Sequence, residues 1–342
     1  MTGYTLGLFA NMYPAYDGDY RGSFIRQMVG DLESRGIRVN KAVKISSSVS
    51  GYIPFCIKSL RLARDRDIDL FQAEYIPHSS LIPAVIGRKD IPLVLKFHGD
   101  DARIFPFQNS INLAVTRWML DRADHVITSS EEMKQCLVRI GGDPGQITPV
   151  HTGVDTVFFS PGERDKSRLA LAVPETRTVF LFVGRLHLWK GVSEIIRIAE
   201  QCHDFLFVFV GPGKIPAHPE NCIFAGVQPP EKVREWLHAA DCFILPTYTE
   251  SVPTSVMEAF ACGIPAITTD VGGCPEIVEH GKNGLMVPVK DIPALKDAVL
   301  WMHAHPTERT GMGRRARETA VERYDHNVLI EKVIAVHRNL LD

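Results

Sequence analysis

Two glutamates in one short stretch, Glu250 and Glu258 of TYTESVPTSVMEAFACGIP (247–265), have the types and spacing that binding of a phosphorylated sugar would need. The apolar run CFILP at 242–246 predicts a buried strand before them, and Pro253 is typical of a first helical turn. Backbone N–H groups at a helix start carry positive partial charge and hold anions, most often phosphate. Carboxylates beside that phosphate can accept hydrogen bonds from sugar hydroxyls. The alternative is that Glu250 is a solvated loop acid and Glu258 an ordinary surface residue.

The string ESVPTSVMEAFACGIP resembles the donor-binding signature of the retaining glycosyltransferases of family four, the glycosyl transferases group 1, which have the GT-B fold. The resemblance implies that Glu250 and the amides after it hold the transferred sugar, and that Glu258 binds the ribose of a nucleotide-sugar donor. The expected donor site also includes the residues that follow Glu250: Ser251, Val252, Pro253, Thr254 and Ser255. Among these, Ser251, Thr254 and Ser255 stand where the N–H groups of a helix start are expected to be free.

A second candidate group follows the apolar run VFLFV at 179–183. There GRLHLWKG (184–191) places Arg185 and Lys190 just before a predicted helix that starts near Val192. An arginine and a lysine beside a helix start can contact a diphosphate from two sides and offset its charge as it leaves. Isolated basic residues would more often be solvated. The pattern resembles the pair that contacts the donor diphosphate in the family, with Gly184 at the end of the strand.

His98 ends the predicted strand PLVLKF at 92–97 and is followed by Gly99, Asp100 and Asp101. A lone histidine at a strand end is more often a structural residue, yet ligands of doubly wound sheets bind past the carboxyl ends of the strands. His98-Gly99 resembles the His-Gly of the family, which implies that His98 lies beside the transferred sugar and helps to orient the reactants. Asp100 either contacts the acceptor or, with Asp101, caps the next segment.

Weaker candidates lie in turns after other predicted strands. The loop at 17–22 corresponds to the family's glycine loop, which approaches the donor phosphates. Many members have adjacent glycines there, whereas this chain has Gly18 and Gly22, and Gly22 is better placed because it precedes a helix. Gly211 and Val227 resemble the base-side loops of the family, where backbone atoms could read a nucleobase edge. Glycines after strands are also ordinary turn residues.

Composition excludes several classes of function. The net charge of -2, the pI near 6.7 and the lack of a basic, aromatic-rich run argue against nucleic-acid binding. The seven cysteines form no Cys-x-x-Cys pair, which argues against a zinc site or a disulfide framework and fits a reducing cytosol. We expect a soluble or peripheral protein, because no signal peptide and no apolar run of about 18 residues is evident. Asp65-Arg66-Asp67 fits a solvated helix end better than a metal motif, and the family resemblance implies no required metal or other cofactor.

The chain of 342 residues exceeds what one hydrophobic core usually supports. Apolar runs alternate with helical patterns, which predicts an α/β protein with two doubly wound, Rossmann-like parallel-sheet domains facing a cleft. The predicted first domain, on the acceptor side, spans 1–158 and includes the last helix at 326–342, which crosses back to it. The second, donor-binding domain spans 159–325. The predicted strands are 4–10, 39–45, 70–75, 93–97, 125–129, 179–183, 205–211, 222–227, 242–246, 266–269 and 284–289.

The predicted function is transfer of a hexose from a nucleotide sugar to an acceptor hydroxyl with retention of anomeric configuration, in the synthesis of a cell-surface glycan or glycolipid. The acceptor is expected to be a sugar or a lipid-linked molecule, and the enzyme to be cytoplasmic. Two alternatives stay open: a sugar-nucleotide epimerase on the same fold, and a non-catalytic protein that binds a nucleotide sugar. The stretch at 51–66, GYIPFCIKSLRLARDR, could lie on anionic lipid at the inner face of the membrane, although an amphipathic helix that covers the sheet is the simpler interpretation.

Overall fold

The computed structural model of the chain describes residues 3–16, 21–46 and 48–342, which form two compact units. The first unit comprises Met1–Thr152 and Asn327–Asp342, and the second comprises Gly153–His326. This division lies before the predicted boundary after residue 158. The difference arises because Val154 packs into the core of the second unit, where it also pairs with Asp325.

Strands and helices alternate through the first unit. They are β1 (Thr5–Ala10), α1 (Ser23–Ser34), β2 (Arg38–Val43), α2 (Tyr52–Leu62), β3 (Leu70–Glu74), α3 (Leu81–Ile86), β4 (Leu93–Phe97), α4 (Asp100–Arg103), α5 (Ser110–Arg122), β5 (His125–Thr128), α6 (Glu131–Arg139) and β6 (Ile147–Pro149). In the described residues the strands form one parallel sheet in the order β2-β1-β3-β4-β5-β6. β6 is absent from the predicted strands, because three residues ending in proline carry little strand signal.

The sheet of the first unit has a helical layer on each face. On one face Phe71, Leu95 and Phe97 belong to a core shared with residues of α2, α3, α5 and α6. On the other face Leu6 and Val94 belong to a core shared with α1 and the C-terminal helix. Burial on both faces explains why these strands are nearly continuous apolar runs in the sequence.

The second unit repeats the alternation. Its elements are α7 (Arg164–Ala170), β7 (Val179–Val183), α8 (Val192–Ala199), β8 (Leu206–Val210), β9 (Cys222–Gly226), α9 (Pro230–Ala239), β10 (Cys242–Leu245), α10 (Thr254–Ala261), β11 (Ala266–Thr269), α11 (Cys274–Ile277), β12 (Gly284–Val287), α12 (Ile292–Ala304) and α13 (Pro306–Thr319). The strands form a parallel sheet in the order β12-β11-β10-β7-β8-β9. The predicted α/β class with two doubly wound sheets is therefore confirmed.

The last helix, α14 (His326–Leu341), packs on the first unit, as the sequence predicts. Its apolar residues Leu329, Ile330, Val333 and Ile334 are buried in the core shared with β1 and α1. Within the described part of the chain, no helix combines the length and the apolar character needed to cross a membrane.

Candidate functional site

A cavity of about 320 Å³ in the second unit brings together most of the residues predicted to bind the donor. Because β7 and β10 are parallel neighbours, the loops that follow them open at the same edge of the sheet. The predicted residues that line the cavity are Gly184, Arg185, Lys190, Glu250, Val252, Pro253, Thr254, Ser255 and Glu258. Ser251 lies between two of these lining residues in the loop after β10.

The loops after β7 and β10 are joined by an ion pair between Lys190 and Glu250. Lys190 ends a short helical turn, Leu188–Lys190, whose Trp189 carbonyl accepts hydrogen bonds from Tyr248 N at 2.7 Å and Thr247 Oγ1 at 3.0 Å. The lysine is therefore held by backbone and carboxylate contacts, while Arg185, which also lines the cavity, is exposed. Two cations at one cavity can neutralise a diphosphate.

Gly191 is required for this approach of the two loops. Its φ of 72° lies in the left-handed region, and a Cβ there would meet the carbonyl oxygen of Pro246 at 2.2 Å. Gly191 also precedes α8, which starts at Val192 as the sequence predicts. A larger residue would push Lys190 away from the end of β10.

The start of α10 differs in detail from the sequence-based prediction. Pro253 precedes the first helical residue, Thr254. The Thr254 N–H donates to the Val252 carbonyl at 3.0 Å, and the Ser251 N–H donates to Glu250 Oε1 at 3.2 Å. The prediction that the amides of Ser251 and Thr254 are free is therefore wrong. The reason is local, because the chain turns tightly at Val252–Thr254 and the Glu250 carboxylate lies against the loop backbone.

Glu258 lies in the second turn of α10, is partly buried and lines the same cavity. Burial raises the pKa of its carboxyl group from the usual 4.5 to about 7. A carboxylate that has lost water contacts gains from hydroxyl donors supplied by a ligand. Its position therefore suits recognition of a diol.

The predicted base-side residues lie at the ends of the neighbouring strands β8 and β9. Gly211 has a φ of 140°, and a Cβ there would meet the Gly184 carbonyl oxygen at 2.0 Å. Its N–H donates to the Gly226 carbonyl at 2.8 Å. Val227 is 65% exposed. The set of residues that lines the cavity does not include Gly211 or Val227, although Gly211 packs directly against the cavity residue Gly184.

His98 lies at the carboxyl end of β4 in the first unit, with its side chain only 6% exposed. Its Nε2 forms a hydrogen bond of 2.5 Å with Glu74 Oε2. The ring packs against Phe24, at a centroid distance of 4.9 Å, and against Tyr75, at 4.6 Å, and these two rings also contact each other. Both the position and the tilt of the imidazole are therefore constrained.

Asp101 and Asp100 have different surroundings. Asp101 is buried and accepts hydrogen bonds from the backbone N–H groups of His98 at 3.0 Å, Gly99 at 2.8 Å and Ile76 at 3.2 Å. It thus ties the loop after β4 to the loop after β3, and within the described ranges no side chain caps α4. Asp100 is exposed at the first position of α4.

Glu74 and Tyr75 are site residues that the sequence-based prediction omits. Glu74 is fully buried at the end of β3, and Tyr75 follows it with a φ of 65°, a strained value for a residue with a side chain. A signal for Glu74 was present, because Gln72 and Glu74 interrupt the apolar strand LFQAE at alternate positions. Tyr75 carries no comparable signal in the sequence.

Gly22 precedes α1 with a φ of 67°, and a Cβ there would meet the Met12 carbonyl oxygen at 2.7 Å. Its carbonyl accepts hydrogen bonds from the N–H groups of Ile25 and Arg26. Gly22 is therefore suited to a tight entry into the helix. Gly18, the other glycine of the predicted loop, lies outside the described residues.

Comparison with known proteins gives matches along nearly the whole chain. Residues 163–319 match the family model of glycosyl transferases group 1, and residues 5–158 match that of Glycosyltransferase Family 4. TuaC of Bacillus subtilis (strain 168), described as a teichuronic acid biosynthesis glycosyltransferase, is 31% identical over 248 residues. The match covers 70% of this chain and 63% of TuaC, and other curated relatives are covered over about half of their length.

Solved structures resemble the whole chain. The sucrose-phosphate synthase of Thermosynechococcus elongatus has a TM-score of 0.80 at 19% identity, with 98% of this chain and 99% of that chain covered. Anabaena Alr3699/HepE in complex with UDP-glucose has a TM-score of 0.78 at 19% identity, with 98% and 99% covered. At such identity these likenesses show a shared fold, the GT-B fold. With the two family models, they show that this chain belongs to the group 1 glycosyltransferases of family four.

Proposed function

We propose that this chain transfers a hexose from a nucleotide-sugar donor to an acceptor hydroxyl with retention of anomeric configuration, in the synthesis of a cell-surface glycan or glycolipid. The observation that carries the proposal is the cavity of the second unit, which Arg185, Lys190, Glu250 and Glu258 line together. The diphosphate of a nucleotide sugar matches the two cations. Its ribose diol matches Glu258, and the hydroxyls of its hexose match Glu250.

In the proposed reaction the bond between the anomeric carbon and the diphosphate oxygen breaks, and the electron pair leaves with the diphosphate. Arg185 and Lys190 stabilise the charge that develops there. A diphosphate at Lys190 competes with Glu250 for the ammonium group, which leaves the Glu250 carboxylate able to accept from sugar hydroxyls. The acceptor oxygen bonds to the anomeric carbon on the face that the diphosphate leaves, and its proton passes to a diphosphate oxygen. Glu250 therefore forms no covalent bond to the sugar.

Thermal unfolding with UDP-, GDP- and ADP-sugars tests donor binding. A ligand that binds only the native state raises the unfolding temperature by mass action. We expect one nucleotide class to stabilise the wild type and to lose most of its effect on Lys190→Ala. Lys232→Ala is the matched control, because Lys232 forms a surface ion pair with Glu235 in the same unit. A protein that no nucleotide sugar stabilises would contradict the proposal.

The anomeric configuration of the product tests the mechanism. With an α-linked donor, proton NMR early in the reaction should show an α-linked product, and a β-linked product would refute retention. Release of free sugar and nucleotide without an acceptor would favour the epimerase alternative. Glu250→Gln should lower turnover without a glycosyl adduct in the mass spectrum.

We propose further that turnover requires no divalent metal. The support is that Arg185 and Lys190 supply positive charge at the cavity, which is the task a metal would perform on a leaving diphosphate. The rate in EDTA should equal the rate in magnesium. A rate that EDTA abolishes and magnesium restores would contradict the proposal.

We also propose that the first unit contacts anionic lipid at the cytoplasmic face of a membrane, where a lipid-linked acceptor would be found. Helix α2 turns Phe55 and Leu62 inward but leaves Ile53 67% exposed and Ile57 47% exposed. Exposed basic residues, including Lys58, accompany them. The protein should float with anionic liposomes at low salt, and Ile53→Ser with Ile57→Ser should weaken flotation. If wild-type protein stays in the soluble fraction, α2 only covers the sheet.

A further inference from the structure

The imidazole of His98 is the end of a chain of buried polar side chains in the first unit. Tyr4 Oη and His337 Nδ1 are 2.6 Å apart, and His337 Nε2 and Gln72 Oε1 are 2.6 Å apart. Gln72 Nε2 donates to Glu74 Oε1, and Glu74 Oε2 lies 2.5 Å from His98 Nε2. Gln72, Glu74 and the His337 side chain have no solvent exposure. The five groups form a continuous path that runs from Tyr4 through His337 of α14 to His98 at the carboxyl end of β4.

The direction of each hydrogen bond in this path is determined. Because the Gln72 amide oxygen can only accept, His337 Nε2 carries a proton and its Nδ1 accepts from the Tyr4 hydroxyl. Burial lowers the pKa of His337 to about 3, which agrees with one proton on its ring. The Glu74 carboxylate therefore accepts from Gln72 on one oxygen and from His98 Nε2–H on the other. His98 keeps its proton on Nε2.

Burying a carboxylate costs free energy unless the charge is paired, so an ionised Glu74 requires partners. Burial raises the pKa of Glu74, but the Lys96 ammonium, His98 and Gln72 outweigh this and hold the pKa below its usual value. Lys96 is the register partner of Glu74 on β4 and is itself buried. Glu74 is thus a negative charge fixed at the end of the sheet.

The neighbours of His98 leave one ring nitrogen for a ligand. Phe24 and Tyr75 contact the ring itself, and the Glu74 carboxylate forms a hydrogen bond with Nε2. In the part of the chain that the structure describes, no group hydrogen-bonds to Nδ1. In the neutral form of the ring, a proton on Nε2 makes Nδ1 a hydrogen-bond acceptor, which suits a hydroxyl of a sugar.

We propose that Glu74 is the positioning residue for His98: it fixes the proton on Nε2 and so presents Nδ1 as an acceptor to a substrate hydroxyl. The inference rests on the proposed function for the contact between His98 and substrate. The path through Gln72 and His337 makes α14 a support for this geometry. A purely structural role for the network would stabilise the fold without affecting the state of His98 during turnover.

The tautomer of His98 tests the proposal without any substrate. Long-range proton–nitrogen NMR on protein with labelled histidine reports which nitrogen carries the proton, and the signals lost in His98→Asn give the assignment. In wild type we expect the proton on Nε2. Glu74→Gln replaces one of the two carboxylate oxygens by an NH2 group, which donates instead of accepting. Where that NH2 group faces His98, the ring nitrogen beside it must accept, so we expect part of His98 to shift to the Nδ1–H form.

A matched control changes a carboxylate elsewhere in the first unit. Asp124 Oδ2 accepts from the Leu93 N–H at 2.8 Å, and among the described residues it forms no hydrogen bond with the five groups of this path. Asp124→Asn should leave the His98 tautomer unchanged. A wild-type proton on Nδ1, or a Glu74→Gln spectrum identical to wild type, would overturn the proposal. If Glu74→Gln fails to fold, the wild-type tautomer alone decides between these outcomes.

Turnover gives the second readout. Glu74→Gln should lower kcat by about 10²-fold, a typical contribution from a positioned proton-transfer or hydrogen-bonding group. The KM for the donor should change less than kcat, because the cavity with Arg185 and Lys190, proposed to hold the donor diphosphate, lies in the second unit. An unchanged kcat with a shifted tautomer would show that the network is structural only. If wild type turns over no donor, the proposed function fails, while the NMR measurement still decides whether Glu74 sets the state of His98.

Discussion

Replacing Glu258 by glutamine should stabilise the protein and weaken donor binding at the same time. Burial raises the pKa of Glu258 to about 7 from the usual 4.5. A carboxyl group with a raised pKa holds its proton more tightly in the native state than in the unfolded chain. The stability that follows is fully present below about pH 4.5, is lost as the pH rises toward 7, and stays lost above pH 7. A glutamine at this position does not titrate, so it escapes the loss.

The magnitude follows from the size of the shift. Each pKa unit corresponds to about 1.4 kcal/mol, and a rise from 4.5 to about 7 spans between two and three units. Part of the stability is already lost at pH 5, which is above the usual pKa of 4.5. Water that still reaches the partly exposed side chain also reduces the effect. We therefore expect the free energy of unfolding of Glu258→Gln, relative to wild type, to rise by about 2 kcal/mol between pH 5 and pH 8.

Urea unfolding of both proteins at pH 5 and pH 8 measures this difference, and comparing two pH values cancels any intrinsic effect of the amide. Glu279→Gln is the control, because a hydrogen bond from Lys282 holds the pKa of Glu279 below its usual value. In both the native and the unfolded state this carboxyl titrates at or below its usual 4.5, so its relative stability should change little between pH 5 and pH 8. A flat pH dependence for Glu258→Gln would refute the argument that its carboxylate is shielded from water. Affinity for the nucleotide sugar that stabilises the wild type should fall about tenfold or more, and unchanged affinity would refute the assignment to ribose.

Three further predictions concern other residues. Arg185→Ala and Lys190→Ala should each lower kcat by about 10²-fold with little change in urea midpoint, and wild-type turnover in both would contradict the diphosphate assignment. Burial lowers the pKa of His337 from 6.5 to about 3, so the unfolded chain binds this proton more tightly and stability should fall as the pH drops below 6.5. Glutamine does not titrate, so His337→Gln should remove about 2 to 3 kcal/mol of that loss by pH 4.5. Urea unfolding measures the difference. Gly191→Ala should destabilise by more than Gly281→Ala, because both have positive φ but only Gly191 has a backbone oxygen within 2.2 Å of the added Cβ; equal urea midpoints would contradict this packing argument.

The donor cavity could be predicted from the sequence because its residues occur in two contiguous segments. Each segment follows an apolar strand and precedes a helix, so local patterns are enough to place Arg185, Lys190 and the two glutamates at one sheet edge. What the patterns could not give was the pairing within the site. The ion pair between Lys190 and Glu250 and the hydrogen bond from the Ser251 N–H depend on how two loops approach each other.

The surroundings of His98, unlike the donor cavity, could not be predicted from local patterns in the sequence. Its ring is held by groups from α1, β3 and the turn after β3, and the path beyond Glu74 reaches His337 in the last helix. Residues so far apart in the chain meet only because α1 and α14 cover one face of the same sheet. No local pattern in the sequence could have joined Tyr4 to His337.

One local signal was nevertheless present in β3. A strand buried on both faces has no solvated side for polar residues, so Gln72 and Glu74 at alternate positions must find partners on the same face. Lys96 and His98 stand at alternate positions on the next strand and just beyond it, also on that face. Two such pairs on neighbouring strands predict a buried polar network at the carboxyl end of the sheet, the edge where ligands of this fold class bind. A charged residue inside a two-sided strand is thus itself evidence for a site, even where no family motif includes it.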